Sequence, residues 1–281
     1  RSRIEYGDVI FNRCPLTPNN NRHDPLNVNT SNMMDKLESV QYQAALSITG
    51  TWKGTSKSKI YDIIGWEYLC HRRWVKQMCL FFKIVKGIAP DYLRSQLQPM
   101  HSLRNNSTLF SPHPARRIDH RESFFPSCIY SWNNILNVEE RNSTTLESFK
   151  LKIKSRVLRT KVNNFNINSY QDIKYINQLR VGLSGLNKHR FNHKFKGIQP
   201  YCSCGAIEDT LHFLRMCPQF HTQRCRLCCN IFQKTSLNLL FSSPHSYCKI
   251  LLYGCETLSD AQNKIILSLT NDFITETERF R

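Results

Sequence analysis

The stretch CSCGAIEDTLHFLRMCP, residues 202–218, places three cysteines and one histidine in the pattern C-x-C-x7-H-x4-C. The four residues are Cys202, Cys204, His212 and Cys217. Structural zinc sites take four tetrahedral ligands and prefer thiolate and imidazole. Three thiolates and one imidazole fill that shell and leave no position for water. The pattern therefore predicts a small structural zinc (Zn²⁺) knuckle over residues 201–223.

Local backbone rules indicate how these four side chains can meet. The two cysteines of C-x-C bracket a tight turn, and Gly205 behind them can adopt the left-handed backbone that such a turn often needs. Asp209 can cap a two-turn helix that carries His212, and Pro218 biases Cys217 away from helical backbone. The alternative is four unrelated residues in a cysteine-rich tail, since C-x-C is less diagnostic than C-x2-C.

The better-known C-x2-C spacing occurs nearby, at Cys225 and Cys228. These two cysteines lie in a predicted helix without a matching second pair, so core or surface cysteines are favoured over ligands there. Cys229 could replace a failed ligand of the knuckle, which a single substitution would reveal.

Positive charge is the main departure from an ordinary composition. Hydrophobic residues make up 40% of the 281-residue chain and charged residues 21%, yet the formal net charge is +18. Residues 1–200 carry 31 of the 39 basic and 14 of the 21 acidic residues, and residues 141–200 carry 13 basic residues against two acidic ones. The positive charges in such a surplus repel one another, and the surplus usually persists because an anionic partner neutralises it. RNA and DNA are the leading candidates.

Apolar spacing and capping signals predict a mostly α protein. Asn32 can cap a helix that ends at Gly50, a second helix stops at Gly65, and a third is closed by Gly87. The predicted regions are a helical bundle with an N-terminal loop over 1–100, an extended connector over 101–140, a basic helical region over 141–200, the knuckle over 201–223 and C-terminal helices over 224–281.

Three basic clusters are candidates for phosphate contacts, because Lys and Arg bind phosphates without reading sequence. They are Lys188, Arg190, Lys194 and Lys196; Lys150, Lys154 and Arg159; and Lys53, Lys57 and Lys59. The alternative for each cluster is a solvated surface. Phe191 and Phe195, interleaved with the first cluster, could stack on unpaired bases. Core packing is favoured for them, since buried aromatics four residues apart are common.

Several blocks resemble one known family in their order along the chain. These blocks are KLESVQYQAALSITGTWKGTSKSKIYDIIGWEYLCHRRW, CLFFKIVKGIAPDYL, SFFPSCIYSWNNI, RNSTTLESFK, LRVGLSGLNKHRFNHKF and the Cys/His stretch. They are similar to the region that follows the polymerase palm in non-LTR (LINE-type) retrotransposon reverse transcriptases. The resemblance covers nearly the whole chain. It implies a thumb-like bundle over residues 33–97 that grips a template–primer duplex, followed by a Cys/Cys/His/Cys zinc knuckle.

The resemblance does not carry over the catalytic centre. The family uses metal-binding aspartates, two of them adjacent in the palm, and this sequence has no adjacent Asp pair. Asp8 in EYGDVIF lacks a second carboxylate and is interpreted as structural. We therefore expect a fragment without catalytic residues, not an enzyme on its own, whose partners are RNA, DNA and the palm and fingers of a longer parent chain.

The twelve cysteines admit two interpretations, a secreted disulfide protein or reduced thiols. RSRIEYGDVIF has no signal-peptide pattern, and no uncharged apolar run approaches the length of a membrane span. Reduced thiols, an intracellular and nuclear or nucleocytoplasmic location, and no membrane partner are therefore expected. Two functional alternatives stay open: a zinc-stabilised protein-interaction module, and a non-functional relic of a mobile element.

Overall fold

The computed structural model describes residues 32–100, 109–114, 117, 120, 123–156 and 170–280. These residues form two compact units. The first takes its described residues from 32–41 and 67–156, and the second from 42–66 and 170–280. Both units are built from helices, which confirms the predicted mostly α class. The predicted boundaries at 100 and 141 do not coincide with these units.

Helix α1, Asn32–Thr49, contributes residues to both units. The other helices of the first unit are α3 (Leu69–Val85), α4 (Asp91–Arg94), α5 (Phe124–Asn134), α6 (Val138–Arg141) and α7 (Leu146–Ser155). Those of the second unit are α2 (Lys57–Ile64), α8 (Tyr170–Val181), α9 (Asn187–Asn192), α10 (His221–Thr235), α11 (Pro244–Tyr253) and α12 (Asp260–Glu276).

An aromatic core holds the first unit together. Helix α3 buries Phe81 and Phe82, whose rings contact Trp132 of α5 at 5.4 Å and Phe149 of α7 at 4.4 Å between centroids. Arg141 donates from Nη1 to the carbonyl oxygens of Trp132 at 3.0 Å and of Leu136 at 2.7 Å. It thereby satisfies carbonyls at and just beyond the C-terminal end of α5, which a helix leaves without internal partners.

The connector differs from its prediction in one segment. Residues Phe124–Asn134 are helical, whereas extended chain was expected over 101–140. Pro126 lies in the first turn of α5, where a missing N–H costs no helical hydrogen bond. Cys128, Ile129 and Trp132 then follow at helical spacing and are buried. Short extended pairing is present at Pro99 and Phe110, which form an antiparallel bridge.

The second unit joins the C-terminal helices to the loop after α1. Its core is lined by Ile176 of α8, Ile231 of α10, Leu251 of α11 and Ile266 of α12, all fully buried. The C-terminal helices predicted over 224–281 are α10, which begins at His221, followed by α11 and α12.

Polar side chains close the ends of two helices in this unit. Asn177 and Gln178 donate to the carbonyl oxygens of Thr49 at 3.2 Å and Gly50 at 2.8 Å, at the end of α1. Lys59 donates to the carbonyl oxygen of Val181 at 3.1 Å, at the end of α8. These bonds satisfy the C-terminal carbonyls that each helix leaves without an internal partner. They fix residues 49–59 next to the chain that leads into the knuckle.

Candidate metal centre and basic surface

The four predicted ligands converge on one point. The ligand atoms of Cys202, Cys204, His212 and Cys217 all lie within 4.8 Å of one another, and they are the only such group in the described part of the chain. The sulfurs of Cys202 and Cys217 are 3.8 Å apart, and the sulfur of Cys204 is 3.2 Å from Nε2 of His212. In a tetrahedron with metal–sulfur bonds of about 2.3 Å, two sulfurs lie about 3.8 Å apart. The spacing therefore fits a four-coordinate metal and is far longer than a disulfide bond of about 2.05 Å.

A short hairpin positions the first two ligands. Tyr201 pairs with Ile207 in an antiparallel bridge, and the N–H of Cys202 donates to the carbonyl of Ala206 at 2.7 Å. The N–H of Gly205 donates to the carbonyl of Cys202 at 2.9 Å, which closes the turn. Gly205 has φ of 90°, so the left-handed backbone predicted at this position is confirmed. The turn directs both cysteine sulfurs to the same side.

A π-helical turn positions the other two ligands. The side chain of Asp209 accepts from the N–H of His212 at 2.8 Å, as expected for a cap. The predicted two-turn helix is present over residues 210–216, and its residues His212–Met216 form a π-helix in which the N–H of Cys217 donates to the carbonyl of His212 at 2.7 Å. This wider turn brings residues five apart to one side. Cys217 then leaves the helix at φ −63° and ψ 122°, as predicted from Pro218.

The backbone around Cys217 is held from α10. Arg224 donates from Nη2 to the carbonyl of Cys217 at 2.6 Å and from Nε to that of Leu214 at 3.1 Å. Burial raises the pKa of the Cys217 thiol to about 11, so binding of a metal there would release a proton. Cys204 is the most exposed of the four ligands.

The other cysteines of this region do not join the cluster. Cys225 and Cys229 are exposed on α10, and the sulfur of Cys228 lies 3.5 Å from the hydroxyl of Tyr247. Core and surface positions were the favoured interpretation for Cys225 and Cys228. All eleven cysteines in the described ranges are free thiols.

A buried carboxylate ties the knuckle to the end of the chain. Glu208 accepts from Nε and Nη2 of Arg279, each at 2.6 Å, and from the N–H of Asn187 at 2.7 Å. Hydrogen bonding to Glu208 raises the pKa of Arg279. The carboxylate also lies at the N-terminus of α9, where a negative charge is favourable. Sequence reasoning missed this pair, because a single Glu and a single Arg form no local pattern.

We expect Glu208→Gln to lower the free energy of unfolding by about 2 to 3 kcal/mol, because it removes a charged partner from a paired, buried site. The matched control is Glu276→Gln, whose carboxylate pairs with Arg226 at 3.1 Å while the Glu276 and Arg226 side chains are 43% and 60% exposed. That variant should change stability by less than about 1 kcal/mol. Denaturant titration of the two variants checks this, and equal losses would show that the buried pair is no more important than the exposed one.

His189 of α9 has a buried side chain that lies between two hydroxyl groups. Its Nδ1 lies 2.8 Å from the hydroxyl of Ser184, and its Nε2 lies 3.3 Å from that of Thr210. Burial lowers the pKa of His189 to about 4, against the opposing effect of Asp209. Its two ring nitrogens thus match two hydroxyl groups without a charge on the ring.

The folded state should lose stability in acid through His189. The unfolded chain takes up a proton near pH 6.5, whereas the folded chain keeps this ring neutral down to about pH 4. The contribution of His189 to the free energy of unfolding is therefore fully present above the pKa of the unfolded state. The free energy of unfolding falls by up to about 3 kcal/mol as the pH drops from 6.5 to 4. Imidazole proton shifts of the protein measure the pKa directly, and His189→Gln should flatten the dependence of stability on pH. A midpoint near 6.5 for this ring would contradict the argument.

The first basic cluster surrounds the end of α9. Lys194 and Lys196 are exposed, Arg190 is half-buried, and Lys188 lies 3.5 Å from the carboxylate of Asp209. The core interpretation of the two interleaved aromatics is wrong, because Phe191 is 49% and Phe195 42% exposed. The guanidinium of Arg190 lies 5.7 Å from the centre of the Phe195 ring. The cluster is therefore an exposed mixture of cations and aromatic rings.

The second-unit loop after α1 reaches the same surface. Trp52, which sequence reasoning did not single out, contacts the Phe195 ring at 5.7 Å between centroids. Its neighbour Lys53 is exposed, and Lys57 lies 5.9 Å from the centre of the Tyr42 ring. The ammonium group of Lys59 donates to the carbonyl oxygen of Val181 at the end of α8. Two predicted basic clusters thus meet through one aromatic contact.

The described residues of the second basic cluster, Lys150 and Lys154, lie in the first unit. Lys150 is exposed and Lys154 is half-buried on α7, whereas Arg159 falls outside the described residues. Phe149 and Ile153 form the buried side of this helix, as its apolar pattern predicts.

Comparison of the chain with known protein families, with curated proteins and with solved structures gives no match. The resemblance to retrotransposon reverse transcriptases therefore stays a prediction. Among the described helices, none combines the length and apolar character needed to cross a bilayer.

Proposed function

We propose that this chain binds RNA and DNA through a basic surface on its second unit, and that a structural zinc ion holds the adjoining knuckle in shape. The observation that carries the proposal is the contact between the rings of Trp52 and Phe195, two residues whose sequence neighbours Lys53, Lys194 and Lys196 are all exposed. Such a mixture of cations and exposed rings is typical of surfaces that bind polynucleotides with little sequence preference.

The metal is assigned as zinc from the chemistry of its donors. Three thiolates and one imidazole at tetrahedral spacing suit zinc, and they leave no open position for a reacting water. The metal would therefore supply stability rather than catalysis. Cys202, Cys204, His212 and Cys217 would hold it.

The broader role that we propose follows the resemblance of the sequence. The chain would act as the C-terminal, non-catalytic part of a retrotransposon RNA-directed DNA polymerase, and it would bind template and primer while a palm in the parent chain performs synthesis. The net charge of +18 and the absence of an adjacent Asp pair from the sequence support this assignment.

Fluorescence anisotropy with labelled RNA and DNA oligonucleotides of several sequences tests the proposed binding. The zinc-loaded protein should bind all of them at low ionic strength with little sequence preference. If no oligonucleotide binds in dilute buffer, the proposal is wrong and a protein-interaction module becomes the better explanation.

A further inference from the structure

Three side chains form a ring-and-cation group on the second unit. The Phe195 ring lies 5.7 Å from the Trp52 ring, and the Arg190 guanidinium lies 5.7 Å from the centre of Phe195. Phe195 is 42% exposed and Trp52 is half-buried against Ile63 and Val181. We name these three residues, Trp52, Arg190 and Phe195, the aromatic platform.

Both sides of the platform are held by backbone hydrogen bonds. At the end of α9, the N–H of Phe195 donates to the carbonyl of Arg190 at 3.1 Å, and the N–H of Lys194 donates to that of Phe191 at 2.9 Å. This is the Schellman pattern of a helix end, in which the residue after the left-handed position contacts the residue five before it. Lys194 takes the left-handed position with φ of 57°. The turn therefore fixes Phe195 against Arg190 and directs a lysine outward beside them.

The Trp52 side is equally constrained. The hydroxyl of Tyr42 donates to the carbonyl of Thr55 at 2.8 Å and accepts from the N–H of Gly54 at 3.2 Å. Thr55 donates to the carbonyl of Trp52 from its N–H at 3.2 Å and from its hydroxyl at 2.7 Å. Binding should therefore cost little conformational entropy, because both segments already have a fixed backbone.

The charge around the platform favours an anionic partner with flat apolar groups. Lys53 adjoins Trp52 in the sequence, Lys194 and Lys196 adjoin Phe195, and all three lysines are exposed. The bases of a duplex are stacked on one another and cannot cover a protein ring, whereas the bases of a single strand can. We propose that the aromatic platform stacks unpaired bases of single-stranded RNA or DNA while the surrounding lysines contact the phosphates. This inference rests on the proposed function and names its substrate class.

The variant Phe195→Leu tests the platform, because it removes the ring and keeps an apolar side chain. Loss of one stacked base should weaken single-strand binding by about 5- to 100-fold. Duplex affinity and the salt dependence of binding should stay unchanged, since the lysines remain. The matched control is Phe232→Leu on α10, because Phe232 is 53% exposed and belongs to the same unit. Zinc content and thermal melting of both variants should equal those of the parent.

The outcomes separate the platform from the proposed function. Selective loss of single-strand affinity in Phe195→Leu alone supports the platform. Unchanged affinity, or an equal loss for single strands and duplex, overturns the platform but leaves polynucleotide binding in place if the parent protein still binds in a salt-dependent way. Failure of the parent protein to bind any oligonucleotide overturns both.

Discussion

Replacing Cys204 by serine should release zinc and unfold the knuckle. A structural zinc ion contributes about 10 to 16 kcal/mol of apparent binding free energy in zinc-finger peptides, which is comparable to the whole net stability of a domain. Loss of an outer-shell partner already weakens metal binding by about 10- to 100-fold, so loss of a thiolate should exceed that range. Cys204 is the best position for the test, because it is the most exposed ligand and its substitution disturbs packing least.

The loss should spread from the knuckle into the core of the second unit. Phe213 and Leu214 lie between the ligands His212 and Cys217, and both are buried in the core. The Phe213 ring contacts Phe273 of α12 at 5.5 Å between centroids. Unfolding of the knuckle therefore removes two apolar side chains from that core, and circular dichroism should show a lower melting temperature.

Cys229→Ser is the matched control for the zinc experiment, because Cys229 is an exposed cysteine outside the cluster. Metal analysis by mass spectrometry should find one zinc per chain in the parent and in this control, and none in Cys204→Ser. Zinc that stays equal to the parent both in Cys204→Ser and in the double variant of Cys204 and Cys229 would show that the knuckle does not bind it. Zinc that is lost only when Cys204 and Cys229 are both replaced would show that Cys229 substitutes for the missing ligand.

Neutralising three lysines around the platform should weaken polynucleotide binding by roughly 100- to 1000-fold at about 50 mM salt. Release of counterions from a single strand contributes about 0.7 log units of affinity per phosphate contact for each tenfold dilution of salt. The test variant is Lys53→Gln, Lys194→Gln and Lys196→Gln combined, and all three side chains are exposed. Equilibrium binding to a single-stranded RNA measures the change.

A control variant with the same change in net charge distinguishes direct contacts between lysines and phosphates from the long-range electrostatic field of the protein. Lys234, Lys249 and Lys264 are exposed lysines on α10, α11 and α12 of the same unit. Replacing all three by glutamine should have a much smaller effect, since a charge away from the bound strand acts only through a screened field. If both triple variants weaken binding equally, the binding surface has been placed wrongly.

Sequence patterns predict those parts of the fold that local rules control. The ends of α1 and α2 follow from Gly50 and Gly65, and both glycines have the positive φ that closes a helix. The helix at Phe124–Asn134 was missed because aromatics and a proline suggested extended chain, whereas its first turn accommodates the proline. No periodic pattern in the sequence signals the hydrogen bonds from Asn177 and Gln178 to the end of α1. The sequence therefore could not predict which segments of the chain form the second unit.

The four ligands could be predicted from the sequence, because three cysteines and one histidine at close spacing match the ligand set of a structural zinc site. The π-turn could not, since no residue pattern signals a helix of that width. Phe191 and Phe195 were misjudged for a geometric reason. Their spacing of four suggests one helical face, but α9 ends at Asn192 and Phe195 lies beyond it in a left-handed turn. Its contact with Trp52 depends on the fold, which no local rule can supply.

The salt dependence of RNA binding measures whether the lysines of this surface contact phosphates. A plot of log affinity against log salt concentration should fall steeply for the parent protein, and the slope for the Lys53, Lys194 and Lys196 variant should be shallower by about 2, which corresponds to three lost phosphate contacts on a single strand. A parent affinity that does not change with salt, or identical slopes for the two proteins, would contradict the assignment of this surface to polynucleotide binding.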